Sequence, residues 1–214
     1  MVLKPYIQGV EDCIDEVARE FRKLAFNFNS ESDLQTYLYS CLRAKEKTRV
    51  PSPDGDIELV HAEFPVFWEN NKVERRYDLV VWEPRNAKHY PRYWGEGRLD
   101  QARHIPVLVA IEIKYLYGGS SKEIEHAMEP FSSYANLMKH NDIRKLTKGA
   151  NENGYFLIFL DEDIKKKKEY QDYFKKMKES FEKVVKHAGL KLRVLFISRD
   201  GCGFKLGFSR KGLI

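Results

Sequence analysis

Cysteine is scarce in this chain of 214 residues, which has only three, at positions 13, 41 and 202. Three thiols so widely spaced form neither a zinc-binding pattern nor the disulfide framework of a small secreted domain. Cys13 and Cys41 fall on the apolar faces of predicted helices, where a buried free thiol is the expected state. The cysteine content therefore excludes a zinc ribbon and a disulfide scaffold.

Long apolar runs are missing as well. No stretch of the sequence approaches the ~18 apolar residues that a membrane-spanning helix needs, so no membrane partner is predicted. The first residues, MVLKPYIQGVEDC, place acids where a secretory signal would be apolar. We therefore expect an intracellular, cytoplasmic chain.

The composition is that of one ordinary domain over residues 1–214. Hydrophobic residues make up 43% and aromatic residues 13%, which argues against disorder. The formal net charge of +5 fits a polyanionic partner without requiring one. The six histidines have no metal-ligand spacing, which counts against a histidine-based metal hydrolase.

The most informative segment is the strand-like run 105–117, IPVLVAIEIKYLY, which carries Glu112 and Lys114 in its apolar middle. Side chains two apart on a strand point to the same face, so this carboxylate and this ammonium lie side by side. Apolar residues on both faces indicate a strand covered on both sides, where a lone charge is costly. Such charges occur where they pair, bind metal or do chemistry.

A second carboxylate lies in the strand-like run 75–82, RRYDLVVW, where Asp78 shares its face with Val80 and Trp82. If the two strands are neighbours, Asp78 and Glu112 converge, and their repulsion drives one of them towards protonation. A divalent cation resolves that conflict, and carboxylate oxygens suit Mg²⁺ or Mn²⁺. Lys114 would then lie beside the metal, where an ammonium orients water or stabilises an anion.

Hydrophobic periodicity predicts an α/β fold with a mixed central β-sheet flanked by helices. The predicted order is α-α-β-β-β-α-β-α-β-β, in which a three-strand meander is followed by a helical crossover, and the two helical stretches of that crossover count as one α unit. The predicted segments are helices 10–28 and 30–42, strands 57–68, 73–82 and 105–117, helices 122–138 and 141–153, strand 155–161, helix 164–187, and strands 190–198 and 203–209, with a turn at 69–72.

Asp78 in YDLVV, Glu112-Ile113-Lys114 in VAIEIKY and an acidic helix start upstream resemble the motif of the PD-(D/E)XK nuclease superfamily. That superfamily includes many restriction enzymes, Holliday-junction resolvases and repair exonucleases. The resemblance covers roughly residues 30–161. Tyr77 precedes Asp78 where the family name has proline, and the superfamily's iron–sulfur branch is excluded because it needs four cysteines.

The resemblance implies a restriction endonuclease-like core, αβββαβ, with an N-terminal helix and a C-terminal helix plus hairpin as additions. It implies a nuclease in which Asp78, Glu112 and the carbonyl of Ile113 hold Mg²⁺ or Mn²⁺, with Glu31 reaching the ion directly or through water. Lys114 would orient the attacking water or lower its pKa. DNA is the expected substrate, and a homodimer is expected by analogy with nucleases that cut both strands.

A first-helix acid often assists the metal in this superfamily. Glu31 is the predicted residue, because it projects from the inward side of a helix that Ser30 or Ser32 caps. Asp33 is a close rival, and acids at a helix start also serve simply to complement the helix dipole.

Nucleic-acid contacts are predicted from two basic segments. The polar, aromatic connection 83–104 combines cations with rings that suit phosphate contact and base stacking, although an ordinary surface excursion is the alternative. In similar superfamily proteins, the helix after the metal site presents basic residues to DNA. The predicted contact residues are Arg85, Lys88, Arg92, Tyr93, Trp94, Arg98, Arg144, Lys145 and Lys148.

Three other interpretations stay open. Glu112 and Lys114 can form an exposed ion pair of little energetic value, with Asp78 paired to Arg75 or Arg76. The domain can be a catalytically inactive nuclease-like module that binds nucleic acid or protein. The same metal site can also hydrolyse a substrate other than nucleic acid.

Overall fold

A six-stranded mixed β-sheet forms the centre of the computed structural model, which describes residues 3–23, 28–45, 48–51, 55–67, 73–89, 105–117, 121–149, 151–164 and 168–208. The strands are β1 (Arg49–Val50), β2 (Ile57–Glu58), β3 (Val60–Phe67), β4 (Val73–Trp82), β5 (Val107–Leu116), β6 (Asn151–Leu160), β7 (Leu192–Ser198) and β8 (Gly203–Leu206).

The main sheet runs in the order β3-β4-β5-β6-β7-β8, and β1 pairs with β2 in a separate two-stranded ladder. β5, β6 and β7 are mutually parallel, whereas β3-β4, β4-β5 and β7-β8 are antiparallel. The predicted meander followed by a helical crossover is therefore confirmed, as is the α/β class with a mixed sheet. Val, Ile and Leu fill both faces of the parallel strands, as expected for a sheet covered by helices.

Helices cover both faces of the sheet. The α-helices are α1 (Lys4–Lys23), α2 (Glu31–Arg43), α3 (Ser121–Met128), α4 (Tyr134–Lys139), α5 (Asn141–Lys148) and α6 (Lys168–Ala188). On one face, Phe21 of α1 packs edge-on against Phe159. On the other, Phe181 of α6 contacts Phe156, which points the opposite way because it lies three residues earlier in β6. Burying each of these rings stabilises the fold by about 1.5–3 kcal/mol.

Two predicted helices are shorter than expected. The predicted helix 122–138 is interrupted, because Pro130 lacks an amide hydrogen and lies in a 3-10 turn, Glu129–Phe131. The chain resumes as α4, where the hydroxyl of Ser133 caps the helix by accepting the amide of Asn136. The predicted helix 141–153 ends at Lys148, since β6 begins at Asn151, four residues before the predicted strand.

The observed starts of the two N-terminal helices agree only in part with the predicted ones. α1 begins at Lys4 rather than at residue 10. α2 begins after Ser30, one of the two serines predicted as its cap. The predicted turn 69–72 lies outside the described residues. No helix in the described ranges is both long and apolar enough to cross a lipid bilayer.

Candidate active site

The candidate site lies where β4 and β5 separate. The two strands pair only from Leu79↔Ile111 to Trp82↔Val107. Before Leu79, β4 continues beside β3, and beyond Ile111, β5 continues beside β6. This opening, called the fork below, brings the predicted residues of both strands to one place.

Asp78 occupies the first position of β4 inside the fork. Extending the register from Leu79↔Ile111 places Asp78 opposite Glu112, so the two carboxylates share a face of the sheet, as predicted. The Asp78 carboxylate takes the place of a missing strand partner, because its Oδ2 accepts the amide of Ile113 at 2.6 Å. The carbonyl of Ile113 points to the same side of β5 as its amide, towards the fork.

The backbone around Asp78 is also irregular on the β3 side. Glu63 adopts a left-handed conformation, with φ at 53°, between the pairs Ala62↔Leu79 and Phe64↔Tyr77. The side chain of Gln35 on α2 donates to the carbonyl of Asp78 at 2.8 Å. A side chain of α2 therefore fixes the backbone that carries Asp78.

Lys114 is held between two helices. Its Nζ lies 3.2 Å from Oε1 of Glu31, at the start of α2, and 3.3 Å from Oδ2 of Asp142 on α5. The predicted first-helix acid thus reaches the candidate site, but its direct partner is Lys114 rather than Asp78 or Glu112. The rival acid, Asp33, accepts the amide of Asn29 and serves the helix start.

Lys145 supplies a second cation that sequence reasoning placed elsewhere. Its Nζ lies 2.6 Å from Oε2 of Glu112 and 2.9 Å from Oδ1 of Asp142, and it donates to the carbonyl of Arg76 at 2.9 Å. Lys145 is only 5% exposed and Glu112 only 1% exposed. The helical period turns Lys145 inward with Asp142, so the predicted contact of Lys145 with nucleic acid stays a prediction.

The pKa values of the two strand carboxylates, Asp78 and Glu112, are both raised. Burial raises the pKa of Asp78 to about 6, against the opposing effects of the Ile113 amide and of Lys114. Burial and the neighbouring charge of Asp78 raise the pKa of Glu112. One oxygen of Glu112, Oε1, is buried without a hydrogen-bond partner among the described residues. Such an oxygen costs free energy unless something charged or polar reaches it.

The two lysines are firmly cationic. Burial alone would lower the pKa of Lys114, but the carboxylates of Asp142, Glu31 and Asp78 outweigh burial and raise that pKa. The pKa of Lys145 is raised in the same way, since Glu112 and Asp142 outweigh its burial. At neutral pH each lysine is therefore a positive charge and a hydrogen-bond donor, and neither can act as a base.

The site contains more acidic than basic side chains. Four carboxyl groups, Glu31, Asp78, Glu112 and Asp142, surround two ammonium groups, Lys114 and Lys145. The raised pKa values of Asp78 and Glu112 mean that burying both as anions is costly, a cost that a divalent cation would relieve. Oxygen donors of this kind suit Mg²⁺, which typically uses one or two carboxylates and keeps several waters.

The side chains do not form a ready-made cage for a metal. Within the described ranges, no three His, Cys, Asp or Glu side chains are grouped closely enough to hold an ion together. The oxygens that could serve as ligands here are those of Asp78, the buried free oxygen of Glu112 and the carbonyl of Ile113. A Mg²⁺ ion held by them would need water or phosphate oxygens to complete its coordination.

The other predicted nucleic-acid residues fall in different environments. Arg144 and Lys148 are exposed on α5. Arg85 lies next to the sheet, 2.6 Å from Glu83 and 3.3 Å from Glu152. The predictions for Arg92, Tyr93, Trp94 and Arg98 lie outside the described residues, as does the side chain of Lys88.

Asp142 and the inward position of Lys145 were missed from the sequence. A signal was present, because residues 142 and 145 are three apart and share a helix face with buried Ile143 and Leu146 nearby. Asp142 and Lys145 on the inward face of α5 contact Glu112 and Lys114 of β5. The four side chains form one cluster of charged groups.

Comparison with protein-family models, with curated proteins and with solved structures finds no match to this chain.

Proposed function

We propose that this protein is a metal-dependent nuclease that hydrolyses phosphodiester bonds, with DNA as the substrate class. The observation that carries the proposal is the convergence of Asp78, Glu112 and Lys114 in the fork, with more acidic than basic side chains and a buried free oxygen on Glu112. An excess of buried negative charge is costly unless a cation is bound, and it is typical of functional sites.

In this proposal Asp78, Glu112 and the carbonyl of Ile113 hold Mg²⁺ or Mn²⁺. The bound ion supplies a Lewis acid for a phosphate oxygen and lowers the pKa of a water molecule. The amide of Ile113 keeps the Asp78 carboxylate at the strand separation, and Gln35 fixes the backbone behind it. These contacts would orient the ligands before any substrate arrives.

Lys114 is assigned the role of a permanent cation beside the reacting phosphate. Its raised pKa keeps it protonated, so it can orient a water molecule or stabilise a phosphate oxygen, but it cannot remove a proton. Glu31 and Asp142 hold the ammonium from two sides. Glu31 is therefore a positioning residue for Lys114 in this proposal, and its reach to the metal stays a prediction.

The positive excess of the chain and the exposed side of α5 support a nucleic-acid substrate. The helix that carries Asp142 and Lys145 inward carries Arg144 and Lys148 outward. Phosphate contacts from such residues are sequence-independent and salt-sensitive. A homodimer belongs to the same proposal, since cutting both strands of a duplex in one event requires two sites.

The decisive experiment is a cleavage screen with Mg²⁺ on duplex, single-stranded, flap and four-way-junction DNA. We expect Mg²⁺-dependent cleavage of at least one substrate by the wild type, and its loss in Asp78→Asn, Glu112→Gln and Lys114→Ala. Lys186→Ala, an exposed lysine of α6, is the matched control and should retain full activity. Cleavage by Lys114→Ala at the wild-type rate would overturn the proposed mechanism.

A second candidate function is a nuclease-like module that binds nucleic acid without cutting. It is favoured by the contact between Lys145 and Glu112, because an internal ammonium already neutralises a predicted metal ligand. Under this alternative, the wild type binds DNA, no substrate is cut, and calorimetry with Mn²⁺ detects no binding that depends on Asp78.

A further inference from the structure

Two thiols face each other between the N-terminal helices. Cys13 on α1 and Cys41 on α2 are 28 positions apart in sequence, and the Sγ of Cys41 donates to the Sγ of Cys13 at 2.7 Å. Cys13 is 0% exposed and Cys41 is 9% exposed. Both are free thiols. The third cysteine, Cys202, is partly exposed and lies much later in the sequence.

We propose that Cys13 and Cys41 form a redox-active pair that a hydroperoxide converts into an intramolecular disulfide joining α1 to α2. A disulfide bond joins sulfurs about 2.05 Å apart. Because the two sulfurs already touch, the bond requires a small shift of two side chains rather than a rearrangement of the helices.

The surroundings give the two thiols different roles. Cys41 is the nearer to solvent, and its contact with Cys13 lowers its pKa against the opposing effects of burial and of Glu16, whose carboxylate lies 3.5 Å from the Cys41 sulfur. The contact raises the pKa of Cys13, which burial raises further. The thiolate is the nucleophilic form, so Cys41 reacts first and Cys13 second.

The chemistry balances with hydrogen peroxide as the oxidant. The Cys41 thiolate attacks one peroxide oxygen, the O–O bond breaks, and Cys41 sulfenic acid and hydroxide form. The sulfur of Cys13 then attacks the sulfur of Cys41, the S–O bond breaks, and water leaves as the disulfide forms. Two thiols lose two electrons and two protons in total, and the peroxide becomes two water molecules.

The cross-link has a measurable consequence for the whole chain. It closes a 28-residue loop that includes the connection between α1 and α2. A disulfide over a loop of this size restricts the unfolded chain, so we expect the melting temperature to rise by roughly 5–10 °C. The inference does not depend on nuclease activity, because no step of it involves the fork.

The test uses the full chain with Cys202→Ser as the background. After treatment with hydrogen peroxide, non-reducing peptide mapping should find the Cys13 and Cys41 peptides joined, with loss of two free thiols and the expected rise in melting temperature. Dithiothreitol should reverse all three changes.

Trapping the intermediate tests the assigned order. With Cys13→Ser added, dimedone should label Cys41 after brief peroxide treatment. With Cys41→Ser added instead, labelling of Cys13 should be at least several-fold lower.

Three outcomes would overturn the proposal. One is a peptide map of the peroxide-treated wild-type chain in which Cys13 and Cys41 both remain free thiols. Another is a disulfide that joins Cys202 to either of them in place of the proposed pair. The third is equal dimedone labelling of the Cys13→Ser and Cys41→Ser variants in the Cys202→Ser background, which would contradict the distinct roles of the two thiols. The wild-type map needs no substitution, so misfolding of a variant cannot mask the result.

Discussion

At the scale of single residues, the buried contact between Lys145 and Glu112 is the strongest test of the charge arrangement. Lys145→Ala removes an ammonium that is 2.6 Å from a carboxylate with 1% exposure. Breaking a buried pair by removing one partner costs about 3–5 kcal/mol. We expect urea denaturation without divalent metal to show a loss of this size, and Mg²⁺ to restore part of it.

The matched control for Lys145→Ala is Lys148→Ala, one turn later on the exposed side of α5. A surface substitution of this kind changes stability by about 0.5 kcal/mol or less. Equal losses in the two variants would contradict the buried ion pair. Equal losses with and without Mg²⁺ in Lys145→Ala would instead count against cation binding near Glu112.

The buried ring of His61 makes the stability of the protein depend on pH. Burial lowers its pKa to about 4, and its ring stacks on Trp82 with centroids 3.6 Å apart. The unfolded chain binds a proton at His61 below about pH 6.5, while the folded chain stays neutral there until about pH 4. Stability from this group is therefore present above pH 6.5 and is lost as the pH falls towards 4.

The expected loss from His61 is about 2–3 kcal/mol between pH 7 and pH 4. Denaturant titrations across this range should show a shallower pH dependence for His61→Gln than for the wild type. His187→Gln, an exposed histidine at the end of α6, should follow the wild type. An unchanged slope in His61→Gln would mean that another group accounts for the acid sensitivity.

At the scale of elements, the end of α5 depends on the absence of a side chain at Gly149. A Cβ at this position would overlap the hydroxyl of Tyr77 and the carbonyl of Lys145. The backbone of Gly149, with φ at −69°, would itself accept alanine. We expect Gly149→Ala to destabilise the protein by about 3 kcal/mol through overpacking, measured by urea denaturation.

Gly9 in α1 is the matched control for Gly149, because a Cβ there would meet nothing within 4 Å. Replacing a glycine inside a helix by alanine stabilises by about 0.5–1 kcal/mol. If Gly149→Ala lowers the free energy of unfolding and Gly9→Ala raises it, the steric requirement at Gly149 is distinguished from the intrinsic flexibility of glycine. A neutral Gly149→Ala would show that Tyr77 and α5 move apart easily.

The irregular position in β3 provides a second comparison at this scale. Glu63 has φ at 53°, where side chains other than glycine cost about 1–2 kcal/mol. Glu63→Gly and Glu63→Ala both remove the contact with Gln35 at 3.2 Å, but only glycine removes the strain. We expect Glu63→Gly to be the more stable by about 1 kcal/mol in chemical denaturation. The reverse order would mean that the left-handed conformation is absent in solution.

At the scale of the whole molecule, the sheet could be predicted because its strands carry strong local signals. Continuous apolar runs in β5, β6 and β7 predict buried strands, and a serine at position 30 or 32 predicts the start of α2, which Ser30 caps. The shared face of Glu112 and Lys114 follows from strand alternation alone. The approach of Asp78 to Glu112 also needs β4 and β5 to be neighbours in one particular register, and that register comes from the structure.

The part that could not be predicted depends on contacts between distant segments. Whether a lysine on α5 points outward or into the sheet depends on how that helix is set against β5, which the sequence of α5 does not specify. The separation of β4 from β5 and the contact between Cys13 and Cys41 are likewise properties of packing. Pro130 shows the converse case, since a local signal interrupted a helix whose apolar period continued.

Because β4 and β5 separate, the amide of Ile113 can report on what binds to the carboxylate of Asp78. The amide proton of Ile113 is shielded by an aspartate carboxylate rather than by a neighbouring strand. Its exchange with deuterium, followed by NMR, therefore responds to whatever that carboxylate binds, while the amides of Val109 and Ile111, within the paired ladder, exchange on the timescale of the sheet. A titration with Mg²⁺ could then be read at a single resonance of the main chain, with no substrate and no label on any side chain.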